Sequence, residues 1–338
     1  MNALKDLKVF FTGGAGFIGS HAVEELLKKE AQVTVFDNFS TGRKENLQHL
    51  SQNKHPLKVI KGDILNQKVL LKETKNSDLV FHFAAELEIA KGIEDPTSDL
   101  KTNALGTLNV LEAMRKNDID NLVYASSAGV YGQAQYLPQD ENHPLNPQWP
   151  YGVSKLAGET YCKAYCNLYS LRIVSLRYSI VYGPREWYRR VLTKFIKRVL
   201  EKKPPIIFGD GQQTRDFVHV KDAVDATLKA TTPKAMGHVF NVGSGVATSI
   251  NELAEIVIKC TGKKMNPIYK NPKLGKMGRK LGELVNLKLD ITKAKKMLDY
   301  EPSINLEEGI RDFIEWARLN MQVWWKGKIT TNVKIIDD

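Results

Sequence analysis

Residues 8–27 of this chain read KVFFTGGAGFIGSHAVEELL. A short apolar strand is predicted over residues 8–12, and an amphipathic helix over residues 20–29. Between them stand three glycines at intervals of three residues, Gly13, Gly16 and Gly19. Glycine permits a tight turn here, which brings backbone amides at the amino end of the helix close to a bound phosphate. The stretch therefore predicts the first strand, turn and helix of an α/β fold.

An acidic residue closes the second predicted strand, residues 33–37, about 20 residues after the glycines. Asp37 has the position at which a carboxylate binds the hydroxyls of a cofactor ribose and repels a 2′-phosphate. The glycine spacing differs by one residue from the commoner Gly-x-Gly-x-x-Gly form. The order of strand, glycines, helix, strand and acid still predicts a dinucleotide site, and it favours NAD over NADP.

Four further strands are predicted along the first half of the chain, over residues 57–62, 79–84, 121–126 and 173–178. Helix-like stretches such as residues 104–116 separate them. This alternation predicts a Rossmann-type, doubly wound parallel sheet with helices on both faces.

The chain changes character after residue 182, where prolines and glycines become frequent. We predict an NAD-binding Rossmann domain formed mainly by residues 1–182. Residues 183–318 are predicted to form most of a smaller, partly discontinuous α/β lobe for the substrate, with some return of the chain to the first domain. Residues 319–338 form a C-terminal tail in this division.

The composition is that of a globular enzyme, with 42% apolar and 26% charged residues among 338. No apolar run approaches the roughly 18 residues of a membrane span, and no signal peptide is evident. The net charge of +11 comes from lysines scattered among glutamates, which favours a solvated surface over a nucleic-acid site. Three cysteines provide neither a disulfide framework nor a metal cluster. We therefore expect a cytoplasmic protein with no metal, nucleic-acid or membrane partner.

A tyrosine and a lysine four residues apart occur in Tyr-Gly-Val-Ser-Lys, residues 151–155. The proline-free sequence that follows predicts a helix, so Tyr151 and Lys155 share one face, where an ammonium lowers the pKa of a phenol. A second pair with this spacing, Tyr269 and Lys273, is flanked by prolines that disfavour a helix. On these residues alone, a helix-start aromatic over a solvated lysine remains an alternative.

The chain resembles the extended short-chain dehydrogenase/reductase family, and within it the nucleotide-sugar epimerases, from about Leu7 to Arg318. The resemblance rests on ordered matches: TGGAGFIG at 12–19, DNFSTG at 37–42, GDI at 62–64, HFAA at 82–85, SSAGVYG at 126–132, YGVSK at 151–155, VYGPR at 181–185 and GDGQQTRDF at 209–217. It implies a Rossmann fold, NAD as cofactor and a UDP-sugar as substrate.

The resemblance also implies roles for individual residues. Tyr151 would be the base that removes the proton of the sugar 4-hydroxyl, Ser127 would hydrogen-bond the same oxygen, and Lys155 would hold the nicotinamide ribose. The remaining cofactor contacts would come from Gly13, Gly16, Phe17, Ile18, Gly19, Asp37, Asn38, Ser40, Thr41, Gly42, Asp63, Ile64, Phe83, Ala84, Ala85, Asn103 and Tyr178.

The second lobe would hold the nucleotide. By resemblance, Arg215 binds the diphosphate, a task that suits a planar guanidinium, and Lys280 stands where a second phosphate-binding arginine is usual. Phe208 would stack on a uracil, although core packing also explains a phenylalanine. Val191 and Leu192 would contact the nucleotide through their backbones. Asp222 is predicted to cap a helix that begins at Ala223.

Two small residues restrict the type of reaction that the resemblance implies. Sugar-nucleotide 4,6-dehydratases carry an Asp-Glu pair just after the active-site hydroxyl residue, whereas this chain has Ala128 and Gly129. The resemblance therefore implies 4-epimerisation, with NAD as a recycled hydride carrier. Two alternatives stay open: a dehydrogenase or 4-ketoreductase that releases reduced cofactor, and a non-enzymatic nucleotide- or RNA-binding relative.

The sugar is less closely defined. By resemblance, Leu287 stands where a large aromatic residue of the 4-epimerases excludes N-acetyl groups, so UDP-N-acetylhexosamines and UDP-hexoses are both expected, although core packing also explains a leucine there. Ile180 replaces an asparagine that is frequent in the family, which removes a hydrogen-bonding option near the sugar. Arg185 begins a short cationic segment and would bind a carboxylate if the substrate were a UDP-uronic acid or another acidic UDP-sugar. The favoured alternative for this segment is steering of the diphosphate or a solvated loop. By analogy with the family, helices near residues 104–115 and 151–169 pair in a homodimer.

Overall fold

The computed structural model describes residues 4–50, 56–187, 190–271, 285–326 and 336–337. The strands are β1 (Lys8–Thr12), β2 (Gln32–Asp37), β3 (Leu57–Lys61), β4 (Leu79–His82), β5 (Asn121–Ser127), β6 (Arg172–Tyr178), β7 (Ile180–Tyr182), β8 (Ile206–Phe208), β9 (Thr214–His219), β10 (Val239–Val242), β11 (Ala247–Ser249), β12 (Ile268–Lys270) and β13 (Ile336–Asp337).

The helices alternate with these strands. They are α1 (Phe17–Lys28), α2 (Glu45–Gln48), α3 (Gln67–Glu73), α4 (Ile89–Glu94), α5 (Pro96–Leu100), α6 (Gly106–Lys116), α7 (Pro150–Tyr169), α8 (Val191–Leu200), α9 (Val220–Lys229), α10 (Ile250–Thr261), α11 (Thr292–Leu298) and α12 (Leu306–Lys326). A π-helical turn, Lys101–Leu105, joins α5 to α6.

One parallel sheet forms the centre of the molecule, in the order β10-β6-β5-β4-β1-β2-β3-β13. Thr12 at the end of β1 lies opposite Phe36 of β2 on one side and His82 of β4 on the other. The strand order reverses between β1 and β4, and a crevice opens there at the carboxyl ends of the strands. The predicted Rossmann-type sheet is confirmed.

The strands are apolar along their length because helices cover both faces of the sheet. Successive residues of a strand point to opposite faces, so Phe10 and Phe11 are both fully buried, but in different cores. Phe11 packs with α1 and α9, whereas Phe10 packs with α3, α6 and α7. Each of the central strands is therefore packed between two helical layers.

A second lobe follows β6. It contains a small sheet of β11, β9 and β7, a β8–β12 pair, and a core in which α8, α10 and α12 meet around Phe195, Leu253 and Phe313. The chain also returns to the first domain, because β10 pairs with β6 and α9 packs against α1. Helix α12 continues past residue 318 to Lys326, and β13 pairs with β3.

The predicted role of Asp222 as a helix cap is wrong. Helix α9 begins at Val220, and His219 is its amino cap. Asp222 therefore lies inside the first turn, where it accepts hydrogen bonds from the backbone and hydroxyl of Ser303, each at 3.1 Å, and from the amide of Ile304. It ties α9 to the segment before α12.

A buried ion pair locks β6 to α7. The side chains of Arg177 and Glu159 are 4% and 8% exposed, and Ser126 donates to the same carboxylate at 2.7 Å. Removal of one partner leaves the other charge buried, so we expect Glu159→Gln to lower the free energy of unfolding by about 3 kcal/mol. Chemical denaturation followed by circular dichroism measures the change.

The exposed pair of Arg172 and Asp120 is the matched control. Its charged atoms lie 3.6 Å apart on side chains more than half exposed. We expect Arg172→Ala to change the free energy of unfolding by less than about 1 kcal/mol. Equal losses in Glu159→Gln and Arg172→Ala would contradict the structural role given to the buried pair.

Candidate active site

A cavity of about 260 Å³ lies at the carboxyl edge of the sheet. It extends from the glycine turn after β1 to the start of α7 and the second lobe. Its lining includes most of the predicted cofactor residues: Gly13, Gly16, Phe17, Ile18, Gly19, Asp37, Asn38, Ser40, Thr41, Asp63, Ile64, Phe83, Ala84, Ala85 and Tyr178. It also includes Ser127, Tyr151, Lys155, Ile180 and Leu287.

The glycine turn has no room for side chains. Gly13 has a φ of 74°, and a Cβ there would lie 2.5 Å from the backbone nitrogen of Ala84. A Cβ at Gly19 would lie 2.3 Å from the Gly13 oxygen. The amino cap of α1 is Gly16, so no side chain caps the first backbone amides of the helix, and the first turn carries no acidic residue. The bare amino end of α1 thus fits the pyrophosphate of a dinucleotide.

Asp37 is fixed at the end of β2 by two backbone amides. It accepts hydrogen bonds from Ala15 at 2.9 Å and from Phe39 at 2.8 Å. Burial raises its pKa to about 6. Gly42 lies behind Asp37 rather than in the cavity lining: a Cβ there would come within 2.7 Å of the carboxylate. A fixed carboxylate at this position fits the ribose hydroxyls of NAD.

Asp63 lies beside Asn38 at the same end of the cavity. The Asn38 amide donates to the Asp63 carboxylate at 2.9 Å, which joins the loops after β2 and β3. Both side chains line the cavity. Together with Asp37 and the glycine turn, they provide a set of residues that NAD fits.

Tyr151, Lys155 and Ser127 meet at the other end of the cavity. Pro150 occupies the first position of α7, which places Tyr151 in the first turn and Lys155 one turn later. Ser127 ends β5, and its hydroxyl accepts from the Gly129 amide at 3.1 Å and bonds to the phenol of Tyr151. The competing tyrosine, Tyr269, lies in strand β12, and Lys273 is outside the described residues.

The groups around Tyr151 shift the pKa of its phenol in opposite directions. Burial raises the pKa of its phenol, whereas the hydrogen bond from Ser127 and the charge of Arg190 lower it. Lys155 is buried, donates to the Ala125 carbonyl at 2.9 Å and lies 5.2 Å from the centre of the Tyr124 ring. Burial lowers the pKa of Lys155 to about 8. This arrangement can exchange a proton with a bound hydroxyl group.

Asn103 supports the site from behind and does not line the cavity. Its amide exchanges hydrogen bonds with the backbone of Glu86, at 2.9 and 3.0 Å, and donates to Ser154 at 3.1 Å. The structure thus places Asn103 as a brace between α7 and the loop after β4.

Four residues of the second lobe that were predicted to bind the nucleotide do not line this cavity: Val191, Leu192, Phe208 and Arg215. Leu192 is buried in the core of that lobe, with Val191 packed against it, and Phe208 is 37% exposed. Arg215 donates to the Thr214 carbonyl at 2.8 Å. The predicted phosphate-binding Lys280 is outside the described residues.

Arg185 is also placed elsewhere, against the prediction that it meets a carboxylate on the sugar. The residue has a φ of 69°, and its guanidinium pairs with Glu24 of α1. It also lies 3.2 Å from His49 and 3.4 Å from the Ser20 hydroxyl. The left-handed backbone and the ion pair direct Arg185 toward α1, so it does not line the cavity.

The sequence interpretation missed several residues that line the cavity, among them Leu87, Ile89, Trp149 and Arg190. Trp149 directly precedes the Pro-Tyr start of α7, which was a usable signal. Arg190 belongs to the same cationic segment as Arg185, but the sequence does not show which arginine faces inward.

No group of three His, Cys, Asp or Glu side chains in the described part of the chain is placed to hold a metal ion. Nor does any helix among these residues have the length and apolar character needed to cross a membrane.

Comparison with known proteins gives consistent matches. The model of the NAD dependent epimerase/dehydratase family matches residues 9–243. A Methanocaldococcus jannaschii protein, provisionally named a UDP-glucose 4-epimerase, is 42% identical over 92% of this chain and 99% of its own length.

Two solved structures extend this similarity. The UDP-glucose 4-epimerase of Thermotoga maritima, solved with UDP-glucose, is 35% identical, with a TM-score of 0.85 over 93% of this chain and 100% of its own. The UDP-N-acetylglucosamine 4-epimerase of Methanobrevibacter ruminantium, in complex with UDP-N-acetylmuramic acid, is 32% identical, with a TM-score of 0.85 over 94% of this chain and 100% of its own. The chain belongs to the NAD dependent epimerase/dehydratase family.

Proposed function

We propose that this protein is an isomerase that inverts carbon 4 of a UDP-sugar and keeps NAD bound through the cycle. One observation carries the proposal: Tyr151, Ser127 and Lys155 share a cavity with the glycine turn and Asp37, and the positions after Ser127 that line it are Ala128 and Gly129. With no acid there to expel water, the residues support removal and return of hydrogen at one carbon. The Thermotoga maritima and Methanobrevibacter ruminantium relatives are both named UDP-sugar 4-epimerases, which supports the choice of substrate.

Tyr151 removes the proton of the sugar 4-hydroxyl and returns it after the carbon has been inverted. When the sugar is bound, the hydroxyl proton of Ser127 turns from the phenol to the same sugar oxygen and holds that oxygen beside Tyr151. Lys155 stabilises the phenolate by its charge. NAD, held by the glycine turn, Asp37 and Lys155, would supply the chemistry of accepting hydrogen from carbon 4 and giving it back on the opposite face.

Inversion requires the sugar to present both faces at the same site. The lining of the cavity includes the apolar wall of Leu87, Trp149, Ile180 and Leu287, which offer few directional hydrogen bonds. Such a surface holds a sugar by contact area and allows it to turn about its link to the diphosphate. The apolar wall thus suits a reaction that needs two orientations of one sugar.

We propose a neutral hexose or N-acetylhexosamine as the sugar. Leu287, in place of an aromatic side chain, supports room for an N-acetyl group. Arg185 is engaged with Glu24, which argues against its predicted role with a UDP-uronic acid. Arg190 and Lys155 are the basic side chains among the described residues of the cavity. We assign Arg190 to the diphosphate side of the substrate, with Arg215 and Lys280 as further proposed contacts.

Incubation with separate UDP-sugars, followed by proton NMR of the anomeric region, tests this function. We expect UDP-galactose, UDP-glucose or their N-acetyl analogues to equilibrate with their 4-epimers and the carboxylated UDP-sugars to remain unchanged. The Tyr151→Phe protein is the control for contaminating activity. Accumulation of reduced cofactor with an oxidised sugar, or equal turnover of a UDP-uronic acid, would overturn the corresponding part of the proposal.

We further propose a cytoplasmic homodimer. The cysteines Cys162, Cys166 and Cys260 are free thiols, which suits a reducing compartment. Exposed apolar side chains cluster on α7 and on the turn before α6, and such a surface suits a two-fold contact between copies. They include Leu105 (43%), Val153 (51%), Tyr161 (41%) and Leu168 (71%).

Charges on this surface should separate the dimer. We expect the double variant Leu105→Glu and Tyr161→Glu to elute as a monomer, because two carboxylates per copy would be buried in the interface. Size-exclusion chromatography with light scattering gives the mass directly. Leu319→Glu, at an 85% exposed leucine on α12, is the control and should leave the mass unchanged. An unaltered dimer in the double variant would place the interface elsewhere.

A further inference from the structure

Asp99 is a buried acid to which the mechanism above gives no role. It lies on α5 and is 1% exposed. Its Oδ1 accepts a hydrogen bond from the Ser154 hydroxyl at 2.5 Å, whereas its Oδ2 has no hydrogen-bond partner among the described residues. A buried carboxylate with an unsatisfied oxygen is unfavourable for folding unless a charge nearby compensates it.

Asp99 is attached to the helix turn that carries the catalytic pair. Ser154 lies between Tyr151 and Lys155, and its hydroxyl is also 3.1 Å from the Tyr151 carbonyl. The free oxygen of Asp99 faces Gly92 of α4, where a Cβ would approach it within 2.9 Å. The space left by Gly92 and the bond to Ser154 together fix the carboxylate next to this turn.

The charge of Asp99 acts on both catalytic groups. It raises the pKa of Lys155 against the effect of burial, and it also raises the pKa of Tyr151. The hydrogen bond found for the Lys155 ammonium goes to a neutral carbonyl, that of Ala125. Lys155 therefore draws its compensating negative charge from Asp99.

The other ionisable groups around the pair do not replace Asp99. Two of the acids are paired with cations, Glu86 with Lys91 and Glu159 with Arg177. His82 is buried between two threonines, and burial lowers its pKa to about 3. The remaining groups are Tyr124 on β5, Cys162 on α7 and Arg190 across the cavity, none of which carries a negative charge near pH 7.

We propose that Asp99 is the counter-charge of the Lys155 ammonium and sets the pH range in which Tyr151 and Lys155 work together. It is a positioning residue, because it acts through Lys155 and Ser154 without lining the cavity. This inference rests on the proposed function only in taking Tyr151 as the base. A negative charge makes proton release harder for both groups, so its removal must move both titrations to lower pH.

The test titrates Tyr151 without any substrate. Tyrosinate absorbance is recorded against pH for the NAD-bound protein, and the spectrum of the Tyr151→Phe protein is subtracted to isolate the one phenol. The same difference is then taken in an Asp99→Asn background, where the amide keeps the bond to Ser154 and loses the charge. We expect the titration of Tyr151 to move down by about one pH unit.

Ser154→Ala is the matched control, because it removes the hydrogen bond and leaves the charge. In Ser154→Ala, the phenol of Tyr151 should titrate at the same pH as in the wild type. Turnover should fall, but the pH dependence of turnover should not shift. When turnover of the best UDP-sugar is plotted against pH, both the rising and the falling limb of the Asp99→Asn curve should move to lower pH. If Asp99→Asn does not purify, Asp99→Ser should give the same shift.

An unshifted Tyr151 titration in the Asp99 variant, or an equal shift in Ser154→Ala, would overturn the proposal. A wild-type protein that turns over no UDP-sugar would instead count against the proposed function. The absorbance titration would still decide the role of Asp99 in that case.

Discussion

Tyr151→Phe should lower the turnover number for the preferred UDP-sugar by about a thousandfold, because the phenol is the group that exchanges a proton with the sugar oxygen. The Michaelis constant and the amount of bound NAD should change little. The benzene ring keeps its place in the first turn of α7, and only the hydroxyl bonded to Ser127 is lost. Steady-state kinetics by NMR or by a coupled assay measures the effect.

Tyr161→Phe is the control on the same helix. The Tyr161 side chain is 41% exposed and two turns beyond the cavity residues, so its hydroxyl has no part in the chemistry. Turnover should equal that of the wild type. A Tyr151→Phe protein with turnover within tenfold of the wild type would contradict the assignment of Tyr151 as the base.

Gly13→Ala should remove NAD from the purified protein. The new Cβ would lie 2.5 Å from the Ala84 nitrogen and 2.7 Å from the Phe83 carbonyl carbon, both backbone atoms that cannot turn aside. The loop of Phe83 to Ala85, which lines the cavity, would have to move. A displacement worth roughly 3 kcal/mol weakens NAD binding by about a hundredfold. Cofactor content after heat denaturation and calorimetric titration with NAD measure the loss.

Gly237→Ala is the control that distinguishes the steric clash of the new Cβ from the strain of a left-handed backbone. Gly237 has a φ of 80°, similar to that of Gly13, but a Cβ there meets no atom within 4 Å. Both variants therefore carry the strain of a left-handed alanine, and only one disturbs the cavity. Gly237→Ala should retain NAD with a small loss of stability. Equal NAD affinity in the two variants would contradict the close packing of the turn.

The sheet and half of the cavity were predictable because their signals are local. Strands buried on both faces are continuous apolar runs, and each predicted strand of the central sheet agrees with the structure to within two residues at either end. The glycines and Asp37 follow β1 and β2 directly. Tyr151 and Ser127 could be associated because β5 ends, and α7 begins, at the same edge of the sheet.

The loop side chains were not predictable in the same way. Arg185 and Arg190 belong to one cationic segment, yet the partner of Arg185 is Glu24, more than 160 residues earlier in the chain. Its direction depends on a tertiary contact that no local pattern shows. The wrong prediction for Asp222 has a similar cause. A helix cap and an acid in the first turn differ only in the residue at which the helix begins, and the partners of Asp222, Ser303 and Ile304, lie about 80 residues later in the chain.

Transfer of the hydrogen at carbon 4 is the most direct test of a retained NAD carrier. A UDP-hexose with deuterium at carbon 4 is incubated with the enzyme in ordinary water, and the unlabelled sugar is incubated in heavy water. Mass spectrometry and NMR of the epimer should show the deuterium kept at carbon 4 in the first case and none gained in the second. Loss of the label to solvent, or reduced cofactor formed in proportion to product, would contradict 4-epimerisation at this site.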